Sequence, residues 1–191
     1  MAHVSPRPAR GAGLFVRLVY WMARRRFGRV PTPFGIMAHQ PRILAAVAGY
    51  ELASQTAHAI PERLEDLANI KAATLVGCRF CIDIGASIAR THGLTEDDLR
   101  ELLHHETSTR FSELEKRVLD YTVAMTQCPM EVPRPLFDAL ERELGVEGMV
   151  ELTAVIAWEN FRARFNHAFG AKEEGFSTGS VCLLPPESAI V

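Results

Sequence analysis

Residues 61–81 read PERLEDLANIKAATLVGCRFC. Leu64, Leu67, Ala68, Ile70, Ala72 and Leu75 fall at helical spacing, and Glu62, Glu65 and Asp66 stand in the early turns, where carboxylates suit the positive end of the helix dipole. Gly77 permits a break, and from Cys78 to Arg90 a helical pattern resumes with Ile82, Ala86 and Ala89 on one stripe. The stretch therefore predicts two helices joined at a glycine, with a Cys-x-x-Cys pair opening the second.

The same periodicity extends outward on both sides. Upstream, residues 1–13 hold four Pro and Gly residues (Pro6, Pro8, Gly11, Gly13) with little apolar content and read as a flexible leader. Residues 14–60 form an N-terminal helical extension: one helix from Leu14 to about Phe27, halted by Gly28, Pro31 and Pro33, and a second from Pro41 to about Ala59. Downstream, His92-Gly93 ends the Cys-bearing helix, and Thr95-Glu96-Asp97-Asp98 and Ser112-Glu113-Leu114-Glu115 carry capping-box signatures for two more. Pro133 and Pro135 start a further short helix that stops at Gly145, and Val146 to about Phe169 is the last long one. The core spans 61–170 and residues 171–191 form a C-terminal tail. No series of strands is visible, so the predicted class is all-α, a helical bundle of about six to eight helices.

Composition agrees with one folded domain plus extensions: 191 residues, 48% hydrophobic and 23% charged. The formal charge of −2 gives no global attraction to nucleic acid or membrane, and neither is expected as a partner, although Arg24, Arg25, Arg26 and Arg29 form a local basic cluster. That cluster follows an apolar run too short and too interrupted to span a bilayer; it reads as an amphipathic surface helix and a plausible subunit interface. No signal-peptide layout is seen, so the expected location is cytoplasmic.

The four cysteines, Cys78, Cys81, Cys128 and Cys182, are too sparse for a disulfide scaffold. In a reducing compartment a close pair is catalytic or metal-binding more often than structural. Cysteines at i and i+3 share a helix face and can form a disulfide reversibly, and the free amides of a helix start stabilise a thiolate. Two other readings stay open. Apolar neighbours such as Val76, Phe80 and Ile82 suit a simply buried pair, and Cys-x-x-Cys is half of a zinc site whose other half is missing. Cys128 beside Pro129 and Cys182 in the tail read as unrelated thiols.

The run from Leu64-Glu65-Asp66-Leu67 through Gly77-Cys78-Arg79-Phe80-Cys81 to Gly93-Leu94-Thr95 resembles the core of the alkylhydroperoxidase D-like, or carboxymuconolactone decarboxylase, family. The resemblance implies an all-α fold, commonly a homo-oligomer (a trimer or a multiple), and a thiol-dependent peroxidase that needs no metal or organic cofactor. It implies roles too: Cys81 as the thiol that attacks a hydroperoxide, Cys78 as the resolving thiol, Asp66 at the acidic position of a proton relay, and a small dithiol or thiol reductant as partner. At the relay histidine's position stands Gly85.

Two substitutes for that histidine suggest themselves. Asp83 is two residues from Cys81 and so points away from it; His167 on the last helix is the better candidate. On that helix Asn160, Arg164 and His167 share a face at i, i+4 and i+7, and Glu159 and Arg162 can pair on another. The bland reading is a polar network between helices. The functional reading has Arg164 and Asn160 binding an anionic substrate beside the dithiol. His104-His105-Glu106 reads as a solvated helix end. The leading function is therefore a peroxidase-like oxidoreductase; the alternatives are a carboxymuconolactone decarboxylase-like enzyme acting on a cyclic carboxylic acid, and a non-catalytic redox-sensing oligomer.

Overall fold

A computed structural model describes residues 2–177; Cys182 and the rest of the tail beyond lie outside the described residues. These contain eight α-helices and no strand: α1 Leu14–Phe27, α2 Thr32–Met37, α3 Pro41–Ser54, α4 Glu62–Val76, α5 Arg79–Thr91, α6 Glu96–Glu101, α7 Glu113–Thr126 and α8 Arg134–Ala168. The all-α class is as expected from the periodicity. Two compact units result, one of residues 2–57 with Phe169–Ala171, the other of residues 58–168 with 172–177.

In the first unit α3 packs on α1 and α2. The short α2 is a helix where the sequence suggested only a stop. Pro33 sits in its first turn, where the missing N–H has no intrahelical partner to lose. The third helix ends at Ser54, five residues short of the expected Ala59. Residues ahead of α1 are tied down: Arg7 N–H donates to Gly35 O (2.9 Å), Tyr20 Oη donates to Arg7 O (2.7 Å), and Arg7 Nη1 donates to Ala38 O (3.0 Å).

In the second unit α4 is the central helix, packed against α5, α7 and α8. Leu64, Leu67, Ala68, Ile70, Ala72 and Ala73 supply its apolar contacts, and the polar residues buried among them, Asp66, Lys71 and Thr74, are each hydrogen-bonded. Leu64 and Ala68 join Val118 and Tyr121 of α7 and Leu152 and Ile156 of α8 in one apolar cluster. Helix α8 contains a break at Gly145 (φ 70°, ψ 175°), where the sequence placed a stop. Both capping boxes exist, at Thr95 with Asp98 and at Ser112 with Glu115.

The α4–α5 connection positions the cysteines. Gly77 adopts φ 77°, ψ 24°, and Cys78 N–H reaches back to Ala73 O (3.0 Å), closing α4 in a Schellman-like turn. A Cβ at Gly77 would meet nothing within 4 Å, so only the backbone resists a side chain there. Gly77→Ala should therefore cost about 1 kcal/mol and lower the melting temperature by roughly 2–4 °C, read by thermal denaturation.

Candidate redox site

Cys78 is the N-cap of α5, and Cys81 stands in its first turn. The Cys81 backbone N–H donates to Cys78 Sγ (3.2 Å), so the sulfur takes the place that a Ser or Asp oxygen usually fills at a helix start. The two sulfurs are joined as a disulfide, with Cα atoms 5.3 Å apart. Both residues are buried, Cys78 at 1% exposure and Cys81 at 6%, so Cys81 is the slightly more open of the two.

The side chain that reaches the pair from another helix is Asn166 of α8. Its Nδ2 donates to Cys81 Sγ at 3.3 Å, while its Oδ1 is buried without a hydrogen-bond partner among the described residues. An amide held this way can serve either state of the sulfur: N–H to a thiolate, or, after a flip, carbonyl oxygen to a thiol. Sequence reading passed over Asn166 in favour of the face carrying Asn160, Arg164 and His167.

Those residues lie elsewhere. Asn160 Nδ2 donates to Thr126 Oγ1 (3.0 Å), and Arg164 donates from Nη2 to Thr126 O (3.1 Å) and from Nη1 to Asn160 Oδ1. Together they satisfy the C-terminal end of α7, where a guanidinium complements the helix dipole. His167 is exposed. Glu159 and Arg162 form the expected i, i+3 pair at 2.8 Å, with Arg162 also donating to Asn69 of α4.

Asp66 is buried and accepts a hydrogen bond from His92 Nδ1 (2.7 Å) at the C-cap of α5. Burial pushes the Asp66 carboxyl up, against the opposing pull of His92. His92 is eleven residues beyond Cys81, roughly 16 Å along the helix, so this pair closes the far end of the α4–α5 hairpin from the dithiol. At Gly85, where the resemblance expects a histidine, a Cβ would lie 3.3 Å from Ile70 Cγ1. A side chain there would press on the α4–α5 packing, so the glycine serves close helix approach.

Asp83 has a task of its own. Its carboxylate accepts backbone N–H groups of Glu174 (2.8 Å), Phe176 (3.0 Å) and Ser177 (2.8 Å). Burial works to raise this carboxyl, but the three N–H donors outweigh it and hold it below its usual range. The segment so anchored touches both residues between the cysteines: Phe176 meets Phe80 edge to face, with ring centroids 6.0 Å apart, and Glu173 faces Arg79 at 4.0 Å. Residues 173–177 thus lie along the Cys-x-x-Cys turn.

One further polar cluster sits inside the second unit. Lys71 is buried, donates to Leu102 O (2.9 Å) and faces His105 Nδ1 (3.3 Å), and His105 Nε2 donates to Asp120 Oδ1 (2.9 Å). Burial holds the Lys71 ammonium below its ordinary pKa. His105 is therefore a buried bridge between α4 and α7 and not the solvated helix end expected from sequence, because both its ring nitrogens have partners there, Lys71 and Asp120. Glu106 and Asp120 bring carboxylates near His105, but an ammonium directly behind the imidazole opposes a cation there.

The sequence profile of the carboxymuconolactone decarboxylase family matches residues 41–124. The chain is 26% identical over 173 residues to the protein YnjA of Escherichia coli K12, covering 90% of this chain and 92% of YnjA. Among solved structures, a peroxidase-related protein of Ralstonia eutropha JMP134 with an alkylhydroperoxidase AhpD core superposes with a TM-score of 0.81 at 17% identity, over 92% of this chain and 94% of that one. The debrominase Bmp8 superposes with a TM-score of 0.79 at 22% identity, over 91% and 92%. At such identities both likenesses concern the fold.

Proposed function

We propose, given that the chain belongs to the carboxymuconolactone decarboxylase family, that it is a dithiol oxidoreductase that reduces hydroperoxides through Cys78 and Cys81. The observation that carries this reading is the cysteine pair at the N-cap of α5, with a helix-start N–H on Cys78 Sγ and Asn166 on Cys81 Sγ. Both donors favour the thiolate, the form that attacks an O–O bond.

In the proposed cycle, the Cys81 thiolate attacks the distal oxygen of the hydroperoxide. The O–O bond breaks, the alkoxide takes a proton and leaves as the alcohol, and Cys81 becomes a sulfenic acid. Cys78 then attacks that sulfur, releasing water and forming the disulfide. A small dithiol reductant exchanges with the disulfide, is itself oxidised, and returns both thiols. Among the described residues neither sulfur is hydrogen-bonded to an ionisable side chain, so the proton comes through solvent, and the rate should follow the thiolate fraction upward with pH. Asp66, paired with His92, and Arg164 and Asn160, committed to the end of α7, are given no part in these steps. His167, one residue past Asn166 and exposed, is kept as the nearest imidazole in sequence to the dithiol's partner. A homo-oligomer belongs to the same proposal.

The test is consumption of an organic hydroperoxide by the purified chain supplied with a dithiol such as dihydrolipoamide. Turnover that needs both reagents supports the reading. Peroxide left untouched although the dithiol reduces the Cys78–Cys81 disulfide would discard the peroxidase step.

A further inference from the structure

The formal charge of −2 conceals a division. Residues 1–57 carry eight arginines, no lysine and one carboxylate, Glu51, a formal +7; the remaining residues therefore carry −9. Nearly all the basic charge near α1 is on the helix itself or just past it: Arg17, Arg24, Arg25, Arg26 and Arg29 are all exposed.

Helix α1 is also apolar on two sides. Val16, Val19, Tyr20 and Ala23 face inward and are buried within the first unit. Leu14, Leu18 and Trp21, at i, i+4 and i+7, face outward and are 82%, 53% and 59% exposed, with Phe15 and Met22 exposed beside them. At 3.6 residues per turn these five fill a stripe of roughly 120°, with Arg17 and Arg24 along one edge, Arg26 along the other and Arg25 on the line of the stripe itself, one turn past Trp21, where the apolar face ends. A surface helix needs only one apolar face to hold it to its own unit. A second one, this exposed, calls for a covering. Beside it opens a shallow cleft of about 450 Å³ whose lining includes Leu14, Leu18, Trp21, Arg17 and Arg24.

We propose that α1 docks the protein on an anionic lipid surface, with Leu14, Leu18 and Trp21 entering the headgroup region and the flanking arginines pairing with lipid phosphates. The choice of occupant follows from charge and side-chain type. Arginines on both edges of an apolar stripe can bend their stems outward to the headgroups while the stripe sinks between them, and Trp favours that interface. A second copy packed α1 to α1 would set these arginine rows against each other, with Glu51 the one carboxylate within residues 1–57 to relieve them; a copy presenting its acidic remainder instead is the competing occupant, which the oligomer measurement below decides. Nucleic acid would engage the arginines and leave the stripe in water. No described helix is long and apolar enough to cross a membrane, so the contact is one of surface attachment.

The experiment uses the full chain in a Trp158→Phe background, so that Trp21 alone reports by fluorescence. Binding is measured by co-sedimentation with vesicles of phosphatidylcholine alone and with one-third phosphatidylglycerol. The expected result is a blue shift of Trp21 and sedimentation with the anionic vesicles only, weakening as salt rises. Arg24→Glu, Arg25→Glu and Arg26→Glu together should weaken binding by more than about a hundredfold. Leu18→Ser with Trp21→Ser should weaken it by about tenfold or more while the melting temperature stays within a few degrees. Equal binding to both vesicle types, or to neither, overturns the proposal. So does an oligomer of any size in sedimentation velocity that Leu18→Ser with Trp21→Ser dissociates while vesicles are ignored, because the stripe then belongs to a second copy.

Discussion

Cys81→Ser should reduce hydroperoxide consumption to the uncatalysed background, a loss of at least about a thousandfold, whereas Cys78→Ser should retain one turnover that stops at a sulfenic acid on Cys81. The asymmetry comes from the geometry of the pair. Cys81 is the slightly less buried residue and its sulfur receives the Asn166 amide, while the Cys78 sulfur takes the N-cap position and accepts the Cys81 N–H. Removing Cys81 removes the group that accepts oxygen; removing Cys78 removes only its exit. The check is mass spectrometry with a diketone that labels sulfenic acids, after one equivalent of peroxide. A label on Cys81 in the Cys78→Ser variant, and none in the Cys81→Ser variant, is expected. Turnover persisting in Cys81→Ser, or a label appearing on Cys78 there, would reverse the assignment.

The helix that bears the dithiol was legible because its signals are local. A glycine at positive φ, a thiol at the N-cap and small residues along α5 are read from neighbours within a few positions, as are the capping boxes at Thr95 and Ser112. Asn166 was legible in principle and missed in practice. Leu152, Ile156, Glu159, Ala163 and Asn166 recur at i, i+4, i+7, i+11 and i+14, and all five are buried. Continuing the apolar stripe of α8 past Glu159, instead of grouping the polar residues by themselves, places Asn166 on the inward face.

Other features depend on contacts that no local pattern carries. Asp66 meets His92 across 26 positions, Lys71 meets His105 across 34, and Asp83 meets the tail across more than 90. Each is a polar residue inside or beside an apolar stripe, and that anomaly is the available sequence signal; the identity of the partner is not. Gly85 shows the reverse case. Its residue type was plain, but its meaning, close passage of Ile70, needed the neighbouring helix.

Asp83→Ala should free residues 173–177 from the dithiol turn and raise the exchange rate of the Glu174, Phe176 and Ser177 amide hydrogens by roughly a hundredfold. A carboxylate accepting three backbone N–H groups makes three charge-assisted bonds; discounted for partial exposure to about 1 kcal/mol each, they sum to about 3 kcal/mol, which is roughly two powers of ten in an opening equilibrium. Asp83→Asn, which keeps an acceptor but loses the charge, should fall between. The pH dependence has a fixed sign. Because the folded pKa of Asp83 is depressed, its stabilisation is present above the ordinary carboxylate pKa and is lost as pH falls through the lowered value, so wild-type protection should fail only in strong acid. The consequence reaches the chemistry through Arg79 and Phe80, both of which the segment touches. With the segment released, the reduced cysteines should alkylate faster, and Cys81, already the less buried, should gain more than Cys78. Unchanged amide protection in Asp83→Ala would show that Phe80–Phe176 packing holds the segment by itself. Protection lost with no change in alkylation would show that the segment borders the dithiol without limiting access to it.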